Sequence, residues 1–81
     1  MISELERTKL KIGFKEVLKA IEANHTQKVF VAEDCEDRIK NSLADAAYKA
    51  GVLVEYAETM RELGKSCGID VGTSCAAVLK F

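Results

Sequence analysis

The spacing of apolar and polar residues changes several times in the first third of the chain, and each change predicts a new element. Residues 9–12 alternate polar and apolar side chains with a period of two, which predicts a short strand with one buried face. From Phe14 to about Asn24 the apolar residues recur at i, i+3, i+4 and i+7, the stripe of an amphipathic helix. Gly13 separates the two. The pattern therefore predicts a strand, a glycine turn and a helix in succession.

The remaining segments continue the alternation of strands and helices. Residues 28–32 are β-branched and nearly all apolar, which predicts a central strand covered on both faces, and residues 52–56 and 74–79 predict two more. Capping-box patterns at 3–6 and 59–62 predict helices over 4–8 and from Thr59 through Leu63. Asp34 is expected to cap a helix that ends at Gly51. The sequence predicts an α/β fold, with about four strands in one sheet and helices on both faces.

Three of the five glycines, Gly64, Gly68 and Gly72, lie within residues 63–72. Three glycines would each cost a helix about 1 kcal/mol, so a loop is the expected conformation. Ile69 and Val71 are unusual in such a loop because they are β-branched and apolar. They either pack into the core or present an apolar surface to a ligand, and the residues alone favour neither alternative.

Composition is that of an ordinary globular protein, with 48% hydrophobic and 31% charged residues among 81. We expect a single domain over residues 1–81. No apolar run has the length of a membrane span or a secretory signal, so we expect a cytoplasmic protein without membrane contact. The three cysteines, Cys35, Cys67 and Cys75, have no C-x-x-C spacing, which predicts reduced, buried thiols rather than disulfides or a zinc site.

Charge is distributed unevenly although the net charge is only −1. Residues 7–28 carry six cations and two anions, whereas residues 29–62 carry eight acids and four bases. Such a distribution can orient approach to a polyanion, although lysine-rich segments are often simply solvated faces. Within the basic half, Lys15 follows Gly13 in the first turn of a predicted helix. Helix N-terminal N–H groups attract phosphate, so residues 13–15 are a candidate anion or RNA site.

Catalytic patterns are weak throughout. His25, the one histidine, follows the end of a predicted helix and is expected to be solvated. Cys67 lies between two glycines, but no histidine is near in sequence to activate it as a nucleophile. The acidic cluster at 33–37 could bind a divalent metal, but acids at a helix N-terminus are explained by the helix dipole. We therefore expect no enzyme activity, no metal and no cofactor.

Two motifs resemble the kink-turn RNA-binding ribosomal protein family of the L7Ae and L30e type, including its small bacterial members. Residues 13–19 (Gly-Phe-Lys-Glu-Val-Leu-Lys) resemble the family's Gly-x-Asn-Glu-x-x-Lys, and residues 63–69 (Leu-Gly-Lys-Ser-Cys-Gly-Ile) resemble its Leu-Gly-x-Ala-x-Gly-Val/Ile. Residues 31–36 also resemble its strand-end Ala-x-Asp-x-x. The resemblance spans residues 9–79. It implies a three-layer α/β/α sandwich with a mixed sheet of roughly four strands.

The family binds kink-turns, RNA helices bent at a bulge beside tandem sheared G·A pairs, where the major groove is opened. By resemblance, lysines of the first motif would donate to guanine O6 or N7, Glu16 would accept from a base amine, and the glycine loop would close over an extruded nucleotide. The implied RNA-binding residues are Gly13, Phe14, Lys15, Glu16, Lys19, Glu36, Lys65, Gly68, Ile69, Asp70, Val71 and Gly72.

This sequence departs from the family pattern at two positions. Lys15 replaces the usual asparagine, and Val71 aligns where eukaryotic relatives carry arginine, so RNA selectivity is expected to differ from theirs. An i, i+3 pair between Glu16 and Lys19 would stabilise the helix without any RNA. The resemblance implies a non-enzymatic monomer that stabilises a kink-turn in ribosomal RNA or a riboswitch, with the ribosome as a further partner. The alternative is a protein–protein adaptor domain of the same fold.

Overall fold

The computed structural model describes residues 1–81, which form four helices and four strands. In chain order these are α1 (Glu4–Arg7), β1 (Leu10–Ile12), α2 (Phe14–Glu22), β2 (Thr26–Ala32), α3 (Asp37–Ala50), β3 (Leu53–Ala57), α4 (Met60–Cys67) and β4 (Cys75–Leu79). All predicted strands and helices are present, with boundaries shifted by a residue or two in most cases.

The four strands form one mixed sheet in the order β1-β4-β2-β3. Strand β4 is antiparallel to both of its neighbours, pairing Ala76 with Ile12 on one side and with Phe30 on the other. Strands β2 and β3 are parallel, with Val31 opposite Tyr56. The parallel pair is connected through α3, as a crossover between parallel strands requires. The predicted mixed sheet of about four strands is confirmed.

Both faces of this sheet are covered. Val29, Phe30, Val31 and Ala32 are consecutive and all fully buried, and successive residues of a strand point to opposite faces. Helices α2 and α3 pack against each other and on the sheet, while α4 packs on β2, β3 and β4. Helix α1 is joined to α4, since Arg7 Nε donates to Ser66 O at 2.9 Å. The backbone N–H of Ile2, just before α1, also donates to Ser66 Oγ at 3.0 Å. The α/β/α sandwich is confirmed.

The expected cap of α3 is wrong. The helix begins at Asp37 with Glu36 as its N-cap, and Glu36 makes no capping hydrogen bond with its side chain. Asp34 instead accepts a hydrogen bond from the backbone N–H of Met60, at 2.8 Å, and so caps the first turn of α4. The chain returns to this end of the sheet after β3, which places a helix N-terminus twenty-six residues away in sequence beside Asp34.

The loop expected from Leu63 onward is wrong for its first part, because α4 continues through Gly64 to Cys67. Gly64 is buried inside the helix, and a Cβ atom there would collide with the carbonyl oxygen of Val71. A glycine is required because the following loop folds back onto the helix at this point. The helix ends at Gly68, which has φ of +85° and donates to the carbonyls of Gly64 and Lys65.

The three cysteines are free and buried, as predicted. No helix is both long and apolar enough to cross a membrane.

Candidate nucleic-acid interface

The predicted first motif and the strand ends meet at one end of the sheet. The carboxyl ends of β1, β2 and β3 lie beside the amino end of β4, as the strand registers require. The backbone N–H of Gly13 donates to Cys75 O at 3.3 Å, and that of Ala32 donates to Ser74 O at 2.8 Å. The turn before α2, the turn before α3 and the end of the glycine loop, residues 68–74 between α4 and β4, are therefore connected through backbone hydrogen bonds.

The N-terminus of α2 is open. Gly13 is its N-cap, with φ of +97°, and no side chain caps the first turn. By contrast, Ser3 caps α1 and Thr59 caps α4 through side-chain oxygens. The first N–H groups of a helix have no partner within the helix, so those at the start of α2 are free to bind an anion.

The N-terminus of α3 lies beside that of α2. The guanidinium of Arg38, in the first turn of α3, lies over the ring of Phe14, with Cζ 5.8 Å from the ring centroid. This is within the usual distance of a cation–π contact. Sequence reasoning missed Arg38, because it lies in an otherwise acidic segment and its contact with Phe14 depends on the packing of α2 against α3. Glu36 is exposed at the same helix start.

The charged residues predicted on α2, namely Lys15, Glu16 and Lys19, are all exposed. No ion pair joins Glu16 to Lys19, so the purely structural role considered for this pair is not observed. Glu16 and Lys19 instead line a cleft between α2 and β1 together with Lys11. Their side chains are available to a ligand on this side of the helix.

The predicted loop residues form a second concave surface. A cavity of about 250 Å³ is lined by Arg61 and Lys65 of α4 and by residues 69–72, including Asp70 and Gly72. Ile69 packs against the hydrophobic core, whereas Val71 is 69% exposed. The two alternatives left open for these residues therefore apply one to each: Ile69 anchors the loop and Val71 presents an apolar side chain to solvent.

The cysteine thiols, the histidine and the acidic cluster considered in the sequence do not come together in one site. Burial raises the pKa of the Cys67 and Cys75 thiols, and a raised pKa disfavours the nucleophilic thiolate. His25 is exposed, as expected. No three His, Cys, Asp or Glu side chains are grouped so as to hold a metal ion, and Asp34 is instead used in capping α4.

The model of the Ribosomal protein L7Ae/L30e/S12e/Gadd45 family matches residues 3–81, nearly the whole chain. This chain belongs to the L7Ae/L30e/S12e/Gadd45 family. One relative, the RNA-binding protein BH0128 of Halalkalibacterium halodurans, is 39% identical over 93% of this chain and 92% of its own length. Another, the RNA-binding protein TTE2299 of Caldanaerobacter subterraneus, is 38% identical over 82% of this chain and 80% of its own length.

A larger family relative, the large ribosomal subunit protein eL8 of Halobacterium salinarum, is 41% identical over 86% of this chain and 59% of its own length. Among solved structures, the Giardia lamblia 15.5kD RNA binding protein superposes with a TM-score of 0.82 at 28% identity. That match covers 91% of this chain and 62% of the Giardia protein. The family fold is therefore shared beyond the bacterial relatives.

Proposed function

We propose that this protein is a non-enzymatic RNA-binding protein that recognises kink-turn RNA with tandem sheared G·A pairs and stabilises its bent form. The observation that carries the proposal is the N-terminus of α2, which follows Gly13 without a side-chain cap and has Lys15 and Arg38 beside it. Relatives across nearly the whole length of the chain are named RNA-binding proteins. An open helix start with free N–H groups and nearby cations suits a ligand that carries phosphates.

On this proposal α2 enters the groove that the G·A pairs open. The backbone N–H groups at Gly13 and Phe14 bind phosphate, while Lys15 and Lys19 donate to guanine O6 or N7. Glu16 accepts from an exocyclic amine, a role for which its carboxylate is free because it forms no ion pair. Phosphate contacts then position the RNA, and the contacts of Glu16 and the lysines identify it.

The glycine loop receives the extruded nucleotide on the same proposal. Val71, the exposed apolar side chain of the loop, contacts the base, while Ile69 holds the loop to the core. Lys65, at the wall of the loop cavity, attracts the phosphate, and Asp70 and Gly72 complete the wall. Gly68 ends α4 just before this wall. Glu36, which is exposed and makes no capping bond, would accept from the nucleotide.

A protein that binds the bent RNA more tightly than the extended RNA shifts the equilibrium toward the bend by the difference in binding free energy. No reaction is required for this effect. The RNA would be a kink-turn of ribosomal RNA or of a riboswitch, bound by a monomer that folds as one domain over residues 1–81. The preference for G·A pairs should be less strict than in relatives with asparagine, because Lys15 offers a point charge where an amide both donates and accepts.

The test is a titration of the protein with a consensus kink-turn RNA and with a control in which Watson–Crick pairs replace the G·A pairs. Binding is measured at physiological salt and again at higher salt, with RNA bending followed by energy transfer between labelled ends. Tight binding of the kink-turn alone, with bending, supports the proposal. Equal weak binding of both RNAs that disappears at higher salt would reduce the lysines to a diffuse basic patch and overturn it.

A further inference from the structure

A cleft of about 390 Å³ lies between α2, β1 and the residues that follow β4. Its wall includes Lys11 of β1 and Glu16 and Lys19 of α2, and at its far end stand His25 and Phe81. It shares no lining residue with the loop cavity. Glu16 and Lys19 are shared with the proposed kink-turn site, so the cleft continues that surface along α2 toward its carboxyl end.

The far end of the cleft is an exposed aromatic surface. The rings of His25 and Phe81 meet edge to face, with centroids 5.1 Å apart and an interplanar angle of 76°. Phe81 is nevertheless 71% exposed. Backbone bonds hold His25 and the residue before Phe81, because His25 N–H donates to Ala20 O at 2.9 Å and Lys80 N–H donates to His25 O at 2.8 Å. A large aromatic face is thus presented to solvent beside the His25 ring.

Cations lie around this aromatic surface. Lys11 and Lys19 line the cleft, and Lys80 bonds Asn24 Oδ1 at 3.3 Å near its far end. None of these three lysines forms an ion pair, and Glu16 is the only acid in the wall. An aromatic face with unpaired lysines beside it is the combination with which proteins bind unpaired nucleotides, by stacking the base and attracting the phosphate.

We propose that this cleft binds an unpaired nucleotide of the RNA strand that continues beyond the kink-turn. The base stacks on Phe81, and the phosphate lies between Lys11 and Lys19. The inference rests on the proposed kink-turn function, since it uses the shared wall of Glu16 and Lys19, and adds to it a contact with single-stranded RNA. The protein would then prefer kink-turns that have unpaired flanking nucleotides over fully paired ones.

The first experiment compares a minimal kink-turn RNA with the same RNA carrying a short unpaired extension at its 5′ or 3′ end. Phe81→Ala should weaken binding of one extended RNA by about five- to tenfold, since base–aromatic stacking is worth about 1–3 kcal/mol per base. Binding of the minimal RNA should not change. Tyr48→Ala is the matched control, because Tyr48 is an exposed aromatic residue outside the cleft and is 86% exposed.

The second experiment measures binding of single-stranded RNA in the cleft, without a kink-turn. The sequence has no tryptophan, so Phe81→Trp introduces a single reporter. A short oligouridylate should quench its fluorescence, and Lys11→Ala should weaken that quenching several-fold. If the wild-type protein shows no preference for the kink-turn while oligouridylate still quenches the Phe81→Trp variant, the proposed function is overturned and nucleotide binding in the cleft is retained. Equal effects of Phe81→Ala on minimal and extended RNAs, or no quenching by oligouridylate, would overturn the proposal that the cleft binds an unpaired nucleotide.

Discussion

The guanidinium of Arg38 lies over the ring of Phe14, 5.8 Å from its centroid, and this contact places the first turn of α3 against the first turn of α2. It brings a cation to the helix start where the free N–H groups are. The contact also relates two segments, residues 13–19 and 36–38, that lie more than fifteen residues apart and belong to the same proposed RNA surface.

Replacement of Arg38 should therefore affect RNA binding more than folding. We expect Arg38→Ala to weaken kink-turn binding by about three- to tenfold, while the free energy of unfolding falls by less than about 1 kcal/mol, as for an exposed cation–π contact. Arg38→Lys should recover only part of the affinity, because it retains the charge but loses the planar stacking group. Both quantities are measured by RNA titration and urea unfolding. Unchanged affinity in Arg38→Ala would remove this residue from the interface.

Replacement of Lys19 tests whether the exposed surface of α2 contacts the RNA. We expect Lys19→Ala to weaken kink-turn binding about tenfold, corresponding to about 1.4 kcal/mol, because Lys19 is exposed and forms no ion pair that would occupy it. Lys49→Ala is the control: Lys49 is exposed on α3 and pairs with Asp45 at 3.1 Å. Both variants lose one positive charge, so equal losses in the two titrations would mean that Lys19 acts only through net charge.

Gly64 should tolerate no side chain. Helix propensity alone predicts that Gly64→Ala stabilises α4 by about 1 kcal/mol. The added Cβ would collide with the carbonyl oxygen of Val71, so we expect a loss of about 3 kcal/mol instead. Gly51→Ala is the comparison, since Gly51 has φ of +68° but open space around it, and should cost about 1 kcal/mol. Urea unfolding distinguishes the two, and a stabilised Gly64→Ala would disprove the close approach.

The buried cysteines should make the fold sensitive to alkali. Burial raises the pKa of the Cys35, Cys67 and Cys75 thiols above that of an unfolded chain, so the folded state keeps its thiol protons to higher pH. The contribution of these protonated thiols to the free energy of unfolding is complete below about pH 8.5, the ordinary cysteine pKa. It is lost as the pH rises through the raised pKa values of the folded state. The urea midpoint should therefore fall above about pH 8.5.

A variant with all three cysteines changed to alanine supplies the control for this pH dependence. Its urea midpoint should fall less steeply over the same pH range, because no thiols remain to ionise in the unfolded chain. The native protein should also react slowly with iodoacetamide at neutral pH and rapidly in urea. A rapid reaction of the folded protein would contradict the buried, protonated state of the thiols.

Local patterns in the sequence were sufficient for the order of elements. The period-two segment became β1, the stripe from Phe14 became α2, and the continuous apolar run became the central strand β2, because these periods depend only on which side chains must be buried. The capping box at Ser3 is present as predicted, with Ser3 and Glu6 bonded in both directions. The resemblance of the two motifs to the family was confirmed by the match over residues 3–81.

Residues far apart in sequence decided the rest. The sequence indicated that Asp34 caps a helix, but only the return of the chain after β3 made that helix α4. Propensity made Gly64 a loop residue, whereas the backbone of Val71 folding onto α4 made it an obligatory glycine inside a helix. Likewise, the contact of Arg38 with Phe14 and the pairing of His25 with Phe81 have no local signature. Burial periods are properties of one segment, but close approaches and shared surfaces depend on how two segments pack.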